Sequence, residues 1–337
     1  MKINVKSEPV RLKDVAEAAG VSSCTASRAL NGVMLNKVSE ETRQRIIKIA
    51  DSMGYRPNIM ARGLAKKRTN LIGVLVPEIR TSFLPQTMEG IWSAAENANM
   101  AVLLYVTDWS AQKEEKYLRQ LVEWQVDGII WVPNSTDNIN LFIEVEQYLP
   151  VIQLFMPVPE LHSSKVILDN EKGGYLATQH LINLGHKKIA HFTAINGHFA
   201  SSGKERLQGY LRALRKAKLP VDNNLIVDSG FTTKGGRKAF QQVAKYQPTA
   251  VFACSDMVAW GCIQEAKLNG KSVPDELAVV GFDNLDIANL VVPSLTTIEQ
   301  PQRQFGELAV TKLLEALDNE IYEEVVLEPR LIKRQSS

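Results

Sequence analysis

Apolar and polar residues alternate in blocks along most of the chain, from Leu71 onward. Nearly continuous apolar runs are typical of strands buried on both faces of a parallel sheet, and apolar residues at helical spacing indicate helices. The runs predict strands at 71–77, 101–107, 128–133, 151–155, 166–168, 188–193, 225–227, 250–253 and 277–282. Helices are predicted between them, for example at 87–98, 112–122, 173–184, 205–217, 235–245 and 257–268. Two such series predict two α/β lobes that bind a ligand between them, at the carboxyl ends of the strands.

The first 56 residues have no such runs and predict three short helices instead. Apolar positions recur at helical spacing in two adjacent segments, at Val15, Ala16 and Ala19 and at Ala26, Ala29 and Leu30. Gly20 is expected to adopt the left-handed conformation that ends the first helix, and Ser22 is expected to cap the second. The small Ala16 and Ala26 allow a close crossing, which is the form of a helix-turn-helix.

A third helix is predicted from Ser39 to Met53, with Ser39 as its N-cap and Gly54 as the residue that ends it. Its buried stripe consists of Ile46, Ile49, Ala50 and Met53. Residues 58–65 have room for only about two further helical turns, which are marginal on their own. Leu64 has no local core to enter, and an exposed leucine can wedge into a minor-groove base step of DNA.

Charge is distributed unevenly along the chain. Residues 1–68 hold 14 Lys and Arg against 6 Asp and Glu, a net charge of +8, whereas residues 69–337 hold 25 against 31, a net charge of −6. A basic head on an acidic body indicates a polyanionic partner for the head. The second helix presents Ser23, Cys24, Ser27 and Arg28 outward, and such a helix enters the major groove with its first residues at the base edges. The alternatives are a helical bundle without a nucleic-acid role and a basic tail that only aids solubility.

Composition and length exclude several classes of protein. The chain has 45% hydrophobic and 23% charged residues, as ordinary globular proteins do, and its length predicts two or more domains. Three scattered cysteines are too few for a disulfide framework or a zinc cluster. The first residues do not resemble a signal peptide, and no apolar run is long enough to span a bilayer. These features predict a cytoplasmic protein with no membrane association, no metal and no cofactor.

The sequence also lacks a recognisable set of catalytic residues. No Gly-x-Gly-x-x-Gly motif follows a predicted strand, and there is no phosphate-binding lysine loop. We therefore predict no catalytic residue and no enzyme activity. A cytoplasmic α/β enzyme and a sugar-binding protein without a DNA function are the competing interpretations, and a gel shift with genomic fragments separates all three.

Residues 11–68 resemble the DNA-binding headpiece of the LacI family, to which the lactose and purine repressors belong. The motifs that carry the resemblance are Leu-Lys-Asp-Val-Ala-Glu-Ala-Ala-Gly-Val-Ser (12–22), Ser-Arg-Ala-Leu-Asn (27–31), Val-Ser-Glu-Glu-Thr-Arg (38–43) and Gly-Tyr-Arg-Pro-Asn with Ala-Arg-Gly-Leu-Ala (54–65). The resemblance implies phosphate contacts from Ser22, Thr25, Ser27 and Asn31, and base contacts from Ser23, Cys24 and Arg28. It also implies DNA contacts from Lys13 and, in a hinge helix, from Asn58, Ala61 and Leu64.

The rest of the chain resembles the same family and the periplasmic sugar-binding proteins that share its fold. Matching segments are Asn-Leu-Gly-His-Lys-Lys-Ile-Ala (183–190), Glu-Arg-Leu-Gln-Gly-Tyr (205–210), Pro-Thr-Ala-Val-Phe-Ala-Cys-Ser-Asp (248–256), Val-Val-Gly-Phe-Asp (279–283) and Pro-Ser-Leu-Thr-Thr-Ile-Glu-Gln-Pro (293–301). The resemblance implies an α/β fold, with a two-lobed periplasmic-binding-protein-like core of parallel sheets after an all-α helix-turn-helix domain. It implies a DNA-binding domain at 1–57, a hinge helix and linker at 58–70, and a core at 71–337. Within the core, an N-lobe would span about 71–167 and 300–328, and a C-lobe about 168–299 and 329–335.

The resemblance also implies which residues contact an effector between the lobes. Arg206 matches the effector-binding arginine of the family and Asp283 the carboxylate that accepts from sugar hydroxyls or base nitrogens. The other implied contacts are Phe83, Leu84, Phe155, Ser202, Phe231, Ser255 and Gln300. Leu84 departs from the aromatic residue of the family, and Phe155 stands where some members have an acid. Ala200, near the position of a further arginine in purine-binding members, favours a sugar or sugar derivative over a purine or nucleoside.

These expectations together describe a ligand-responsive transcriptional regulator, a repressor that binds a pseudo-palindromic operator in double-stranded DNA as a homodimer. Aromatic faces stack on a small polar ligand while Arg206 and Asp283 form charge-assisted hydrogen bonds with it. Effector binding would bias closure of the lobes and thereby the spacing of two hinge helices. A ligand shifts such an equilibrium only through its different affinity for the two forms.

Overall fold

The computed structural model describes residues 10–31, 37–56, 68–79, 83–133, 136–197, 200–319 and 321–337. The chain divides into two compact units, residues 1–70 and residues 71–337. In the described ranges, no helix is long and apolar enough to cross a membrane. The same ranges hold no group of three or more His, Cys, Asp or Glu side chains that could bind a metal ion.

In its described residues, the first unit contains three helices around a small core, as the apolar spacing predicts. They are α1 (Leu12–Ala18), α2 (Ser23–Asn31) and α3 (Glu40–Ser52). The core consists of Val15, Ala16, Ala19, Ala26, Ala29, Ile46 and Ala50. Gly20 has φ of +62°, which is the left-handed conformation predicted for it, and Gly54, predicted only to end α3, has φ of +68°.

Side-chain caps fix where the second and third helices begin. The Ser22 hydroxyl accepts a hydrogen bond from the backbone N–H of Thr25 at 3.1 Å. The Ser39 hydroxyl accepts from the backbone N–H of Thr42 at 3.2 Å. Each cap satisfies an N–H group that has no partner within its helix, and both caps are those predicted from the sequence.

The described part of residues 71–337 forms two six-stranded sheets. The first consists of β1 (Leu71–Val76), β2 (Ala101–Val106), β3 (Gly128–Trp131), β4 (Val151–Leu154), β5 (Ser164–Leu168) and β11 (Glu324–Leu327), in the order β11-β5-β4-β3-β1-β2. All its strand pairs are parallel. Every residue of β3 and β4 is buried, as expected for central strands covered on both faces.

The second sheet repeats this arrangement with one antiparallel edge. It consists of β6 (Ile189–Thr193), β7 (Ile226–Asp228), β8 (Ala250–Ala253), β9 (Ala278–Asp283), β10 (Thr296–Glu299) and β12 (Arg330–Ile332), in the order β12-β10-β9-β8-β6-β7. Only β12 runs antiparallel to its neighbour, β10. The chain therefore passes between the sheets after β5, after β10 and after β11.

Helices cover both sheets. They are α4 (Leu84–Asn97), α5 (Ala111–Glu123), α6 (Ile139–Val145), α7 (Asn170–Asn183), α8 (Ala200–Lys216), α9 (Thr233–Val243), α10 (Asp256–Leu268), α11 (Ile287–Leu290) and α12 (Gln302–Asn319). Short 3-10 turns lie at Asn223–Leu225 and Ala244–Tyr246. The strands and helices predicted from the apolar pattern are present, whereas β10, β11, β12, α6, α11 and α12 had not been assigned.

Helices α7 and α8 touch backbone to backbone, and this contact positions the site described below. A Cβ atom on Gly174 of α7 would lie 2.1 Å from the carbonyl oxygen of Arg206 on α8. A Cβ atom on Gly209 of α8 would lie 2.0 Å from the carbonyl oxygen of Glu171 on α7. Only glycine fits at both positions. The two glycines therefore set how closely α8, which carries Arg206, packs against α7.

Candidate functional site

A cavity of about 460 Å³ lies within the second unit, at the carboxyl ends of strands from both sheets. This is the location expected for ligands of parallel α/β sheets. Eight of the effector residues predicted from the sequence line it: Phe83, Phe155, Ser202, Arg206, Phe231, Ser255, Asp283 and Gln300. The other lining residues are Leu168, Asn170, Thr232, Thr233, Lys234, Met257 and Leu285.

Leu84 is the predicted effector residue that does not line this cavity. It is the first residue of α4 and is 5% exposed. Its side chain packs in the hydrophobic core with residues such as Met88. The departure from the aromatic residue of the family thus coincides with a core role for this position.

Arg206 occupies the centre of the polar wall. Its Nε donates to the side-chain oxygen of Asn170 at 2.9 Å, and its Nη1 donates to the carbonyl oxygen of Cys254 at 2.5 Å. Its guanidinium lies 3.6 Å from the ring centroid of Phe282, a cation–π contact, and 3.7 Å from a carboxylate oxygen of Asp283. Burial lowers the pKa of Arg206, and the Asp283 carboxylate opposes that change. Arginine remains charged in proteins, so this side chain is a fixed cation held from several sides.

Asp283 ends β9 and turns its carboxylate toward Arg206. One carboxylate oxygen accepts from Nε2 of Gln300 at 2.5 Å, and the backbone carbonyl accepts from Nε2 of Gln302 at 3.1 Å. Burial raises the pKa of Asp283 to about 6, while Arg206 and the Gln300 hydrogen bond act in the opposite direction. Its backbone φ of +113° is rare for a residue other than glycine. Residues with such strained backbone conformations cluster at functional sites.

A second buried carboxylate supports the loop that follows Asp283. Asp256, the first residue of α10, accepts from the hydroxyl of Thr297 at 2.5 Å and from the backbone N–H of Leu285 at 2.7 Å. Burial raises its pKa, and the nearby charge of Asp283 raises it further. Asp256 is fully buried and does not line the cavity, so its role is to hold the end of β9 in place.

The opposite wall of the cavity is apolar. The rings of Phe83 and Phe155 meet edge to face with centroids 4.7 Å apart, and Phe155 also packs on Phe305 at 4.6 Å. Phe155 has φ of +67°, and the N–H of Met156 donates to the carbonyl of Leu154 at 2.8 Å. This hydrogen bond closes a three-residue γ-turn, a strained conformation that holds the Phe155 ring against the cavity.

The start of α9 lines the cavity on the side of the second sheet. Thr232 is its N-cap and accepts from the N–H of Gly235 at 3.1 Å. Thr232, Thr233 and Lys234 all line the cavity but were missed by the sequence prediction. Their position directly after the predicted Phe231, at the start of a predicted helix, was the available signal.

Replacing Asp283 by Asn should change how stability depends on pH. Because the folded-state pKa of Asp283 is about 6 and its ordinary value is 3.8, the folded protein binds this proton more tightly than the unfolded chain does. The free energy of unfolding of the wild type should therefore fall, relative to Asp283→Asn, as pH rises from about 4 to about 6, and the difference should then level off. Urea titrations across this range measure it.

The exposed Asp286, three residues further on, provides the control, and Asp286→Asn measures the effect of the same substitution outside the cavity. A wild type that gains stability relative to Asp283→Asn over the same range would mean that the Arg206 ion pair outweighs burial. In that case, the statement that burial raises the pKa of Asp283 would be wrong.

In the first unit, the predicted DNA contacts lie mainly on the outside of the helix-turn-helix. Lys13, Ser22, Ser23 and Cys24 are exposed, and Thr25, Ser27 and Arg28 are half-buried. Lys13 pairs with Glu17 across one helical turn at 3.7 Å. Asn31 is the last residue of α2. Asn58, Ala61 and Leu64, and with them the predicted hinge helix, lie outside the described residues.

Comparison with known proteins defines the class of both units. Residues 11–58 match the bacterial regulatory proteins of the lacI family, and residues 178–337 match the periplasmic binding protein-like domain. The chain is 36% identical over 298 residues to the HTH-type transcriptional regulator DegA of Bacillus subtilis, covering 87% of each chain. It is 34% identical over 330 residues to the ribose operon repressor of Haemophilus influenzae, covering 96% of this chain and 98% of the relative. The class is therefore that of a transcriptional regulator and not of an enzyme.

Solved structures agree with this class over nearly the whole length. The lac repressor dimer bound to operator and the anti-inducer ONPF superimposes with a TM-score of 0.88 at 26% identity, covering 98% of this chain and 99% of that one. A complex of the transcriptional regulator CelR with cellobiose gives a TM-score of 0.73 at 29% identity, covering 97% and 100%. The chain belongs to the LacI family of ligand-responsive transcriptional regulators, as its sequence motifs predict.

Proposed function

We propose that this regulator is a repressor whose operator binding is controlled by a sugar or sugar derivative held in the cavity around Arg206. The observation that carries the proposal is the buried pair of Arg206 and Asp283 at the carboxyl ends of the strands, facing an apolar wall. A sugar has hydroxyl groups in its ring plane and C–H groups on its faces. Charged side chains bind the former and phenyl rings the latter.

The effector residues then divide by role. Arg206, Asp283, Ser202, Ser255 and Gln300 bind ligand hydroxyl groups, with Asn170 holding Arg206 in position through its hydrogen bond. Phe83, Phe155 and Phe231 contact the ligand faces. Among the similar proteins are a LacI-family regulator of Enterococcus faecium with bound ribose and several repressors called PurR. A purine ligand is therefore the second outcome to be tested.

A thermal-shift screen combined with an operator gel shift tests this function. Sugars and purines are added singly, and genomic fragments serve as DNA. The proposal requires a sugar that raises the melting temperature and also changes the retention of a fragment. If a purine does both and no sugar does, the effector is a purine and the sugar proposal is wrong.

The DNA side of the proposal rests on α2 as the recognition helix. Ser23, Cys24 and Arg28 face base edges in the major groove, while Ser22, Thr25, Ser27 and Asn31 bind phosphates together with Lys13. The Ser22 hydroxyl accepts from the backbone N–H of Thr25 and lies 2.9 Å from the Thr25 hydroxyl, so its O–H turns away from Thr25 when it donates to a phosphate. Asn58, Ala61 and Leu64 form the hinge contact in the central minor groove, with Leu64 as the wedge.

Arg28→Ala should relax sequence specificity at one base position of each half-site. An arginine that binds guanine through two hydrogen bonds discriminates by about 1–3 kcal/mol. Binding to operator variants that differ at single positions measures the change, and Lys13→Ala is the control for a phosphate contact. Equal weakening on every sequence by Arg28→Ala would make Arg28 a phosphate contact instead.

We also propose that the protein acts as a homodimer in the cytoplasm, where its operator lies. An apolar patch supports self-association: Leu268, Leu290 and Val292 are 71%, 78% and 77% exposed. Lys267 on α10 donates to the backbone carbonyl of Val292, which brings the end of α10 beside this loop. Such exposure of three large apolar side chains is typical of a surface that a partner covers.

A further inference from the structure

The lining of the cavity carries an excess of positive charge. Its charged residues are Arg206, Lys234 and Asp283. Arg206 and Asp283 form an ion pair at 3.7 Å and offset each other. In the part of the chain that the structure describes, the ammonium group of Lys234 has neither an ion-pair nor a hydrogen-bond partner. One cation of the cavity is thus left without a counter-charge.

The backbone around Lys234 adds to this charge. Thr233 and Lys234 are the first two residues of α9, and their N–H groups make no hydrogen bond to another described residue. The Thr232 hydroxyl accepts a hydrogen bond from the N–H of Gly235, and the Thr232 carbonyl accepts one from the N–H of Gly236. The two free N–H groups therefore belong to residues that line the cavity, and a helix N-terminus with free N–H groups favours an anion.

The polar and apolar walls are also segregated. Phe83, Phe155 and Leu168 line the side toward the first sheet, while Arg206, Lys234 and Asp283 line the side toward the second. A ligand that satisfies both sides has an apolar face and, at the end near α9, a group that carries negative charge. Lys234 is itself exposed, so a neutral sugar would leave its ammonium in water without a counter-charge, whereas an anionic substituent would pair with it.

We propose that the effector is an anionic sugar whose phosphate or carboxylate group is bound at the first turn of α9 by the Lys234 ammonium and the N–H groups of Thr233 and Lys234. The proposal rests on the proposed function, because it concerns the ligand of the same cavity. The sugar ring lies between Arg206 and the phenyl rings, and its charged substituent points to α9. Both anionic groups present oxygens to the same donors.

Matched ligand pairs test this proposal on the full-length protein. Ribose is compared with ribose 5-phosphate, and glucose with glucose 6-phosphate and with glucuronate, by thermal shift and by titration calorimetry. Inorganic phosphate alone measures the contribution of the anion. The ratio of affinities within each pair is the quantity of interest, and the phosphate and glucuronate arms distinguish the two anionic groups.

Lys234→Gln is the test variant and Lys238→Gln the control. Lys238 is an exposed lysine one turn further along α9 and does not line the cavity. We expect Lys234→Gln to lower the ratio of anionic to neutral affinity by about tenfold or more, which is the loss expected for a charge-assisted hydrogen bond. Lys238→Gln should leave this ratio within about twofold, because Lys238 does not line the cavity and its charge acts on the ligand only across solvent and salt.

Three results would overturn the proposal. If neutral sugars bind as well as or better than their anionic partners, the proposed function stands and the anionic class is wrong. If anionic sugars bind more tightly but Lys234→Gln and Lys238→Gln have equal effects, the anion is not bound at α9. If no sugar of either kind stabilises the protein or changes operator binding, the proposed function fails as well.

Discussion

Arg206→Ala is expected to abolish the effect of the effector on operator binding and to lower the free energy of unfolding of the second unit by about 3–5 kcal/mol. The substitution leaves the Asp283 carboxylate buried without its cation and removes the donors to Asn170 and to the carbonyl of Cys254. The DNA-binding helices form a separate compact unit, so operator binding without effector should persist. Urea titration and a gel shift with and without effector measure the two effects.

Arg212→Ala is the matched control on the same helix. Arg212 pairs with Glu171 at 2.7 Å, but both side chains are about half exposed, so its removal should cost less than about 1 kcal/mol and leave the effector response intact. Arg206→Lys keeps a charge and covers the case in which the alanine variant does not fold. A full effector response in both Arg206→Lys and Arg206→Ala would show that Arg206 does not bind the effector.

Gly174→Ala should cause the second large loss of effector affinity. It would do so by displacing Arg206, whose side chain is left unchanged. The new Cβ would lie 2.1 Å from the Arg206 carbonyl oxygen, well inside the 3.0 Å that real contacts keep, so α8 must move away from α7. Overpacking of this kind costs about 1–3 kcal/mol or more. The shift also lengthens the hydrogen bonds of Arg206, and effector affinity should fall by about tenfold or more.

Gly90→Ala makes the same change at another crossing. Gly90 of α4 faces the carbonyl oxygen of Arg303 on α12, and its Cβ would also lie at 2.1 Å. Both variants should therefore lose stability to a similar degree. Only Gly174→Ala should lose effector affinity beyond that loss, as calorimetry at a temperature where both variants are folded would measure. Equal effects of the two substitutions on effector affinity would contradict the positioning role of the α7–α8 contact.

The sequence predicts the architecture well wherever the apolar period is long and clear. The buried runs of β1 and β9 and the capped helices α2 and α3 carry local signals that tertiary structure does not override. Strands β10 and β12 carry weak signals, because the first has threonines inside and the second has only three residues. Helix α12 was missed because its apolar residues are spread between two neighbours, α4 and the first sheet.

The site was predicted less completely, for a physical reason. Arg206 and Asp283 lie in motifs that resemble those of the LacI family, and the structure brings them within 3.7 Å of each other. Asn170 and Lys234 reach the same cavity from the starts of α7 and α9, and no periodicity marks a residue at the start of a helix as a ligand. Leu84 is the opposite case. The resemblance to the family implies an effector contact for it, but its side chain packs in the hydrophobic core.

The central claim is that occupation of the cavity around Arg206 changes the affinity of this regulator for its operator. The most direct measurement is an operator titration of the wild type and of Arg206→Ala, each with and without the sugar that stabilises the wild type most. The account predicts a change in operator Kd of about 5- to 150-fold for the wild type and none for Arg206→Ala. An equal change in both proteins, or an unchanged wild-type Kd in the presence of a ligand that raises its melting temperature, would contradict it.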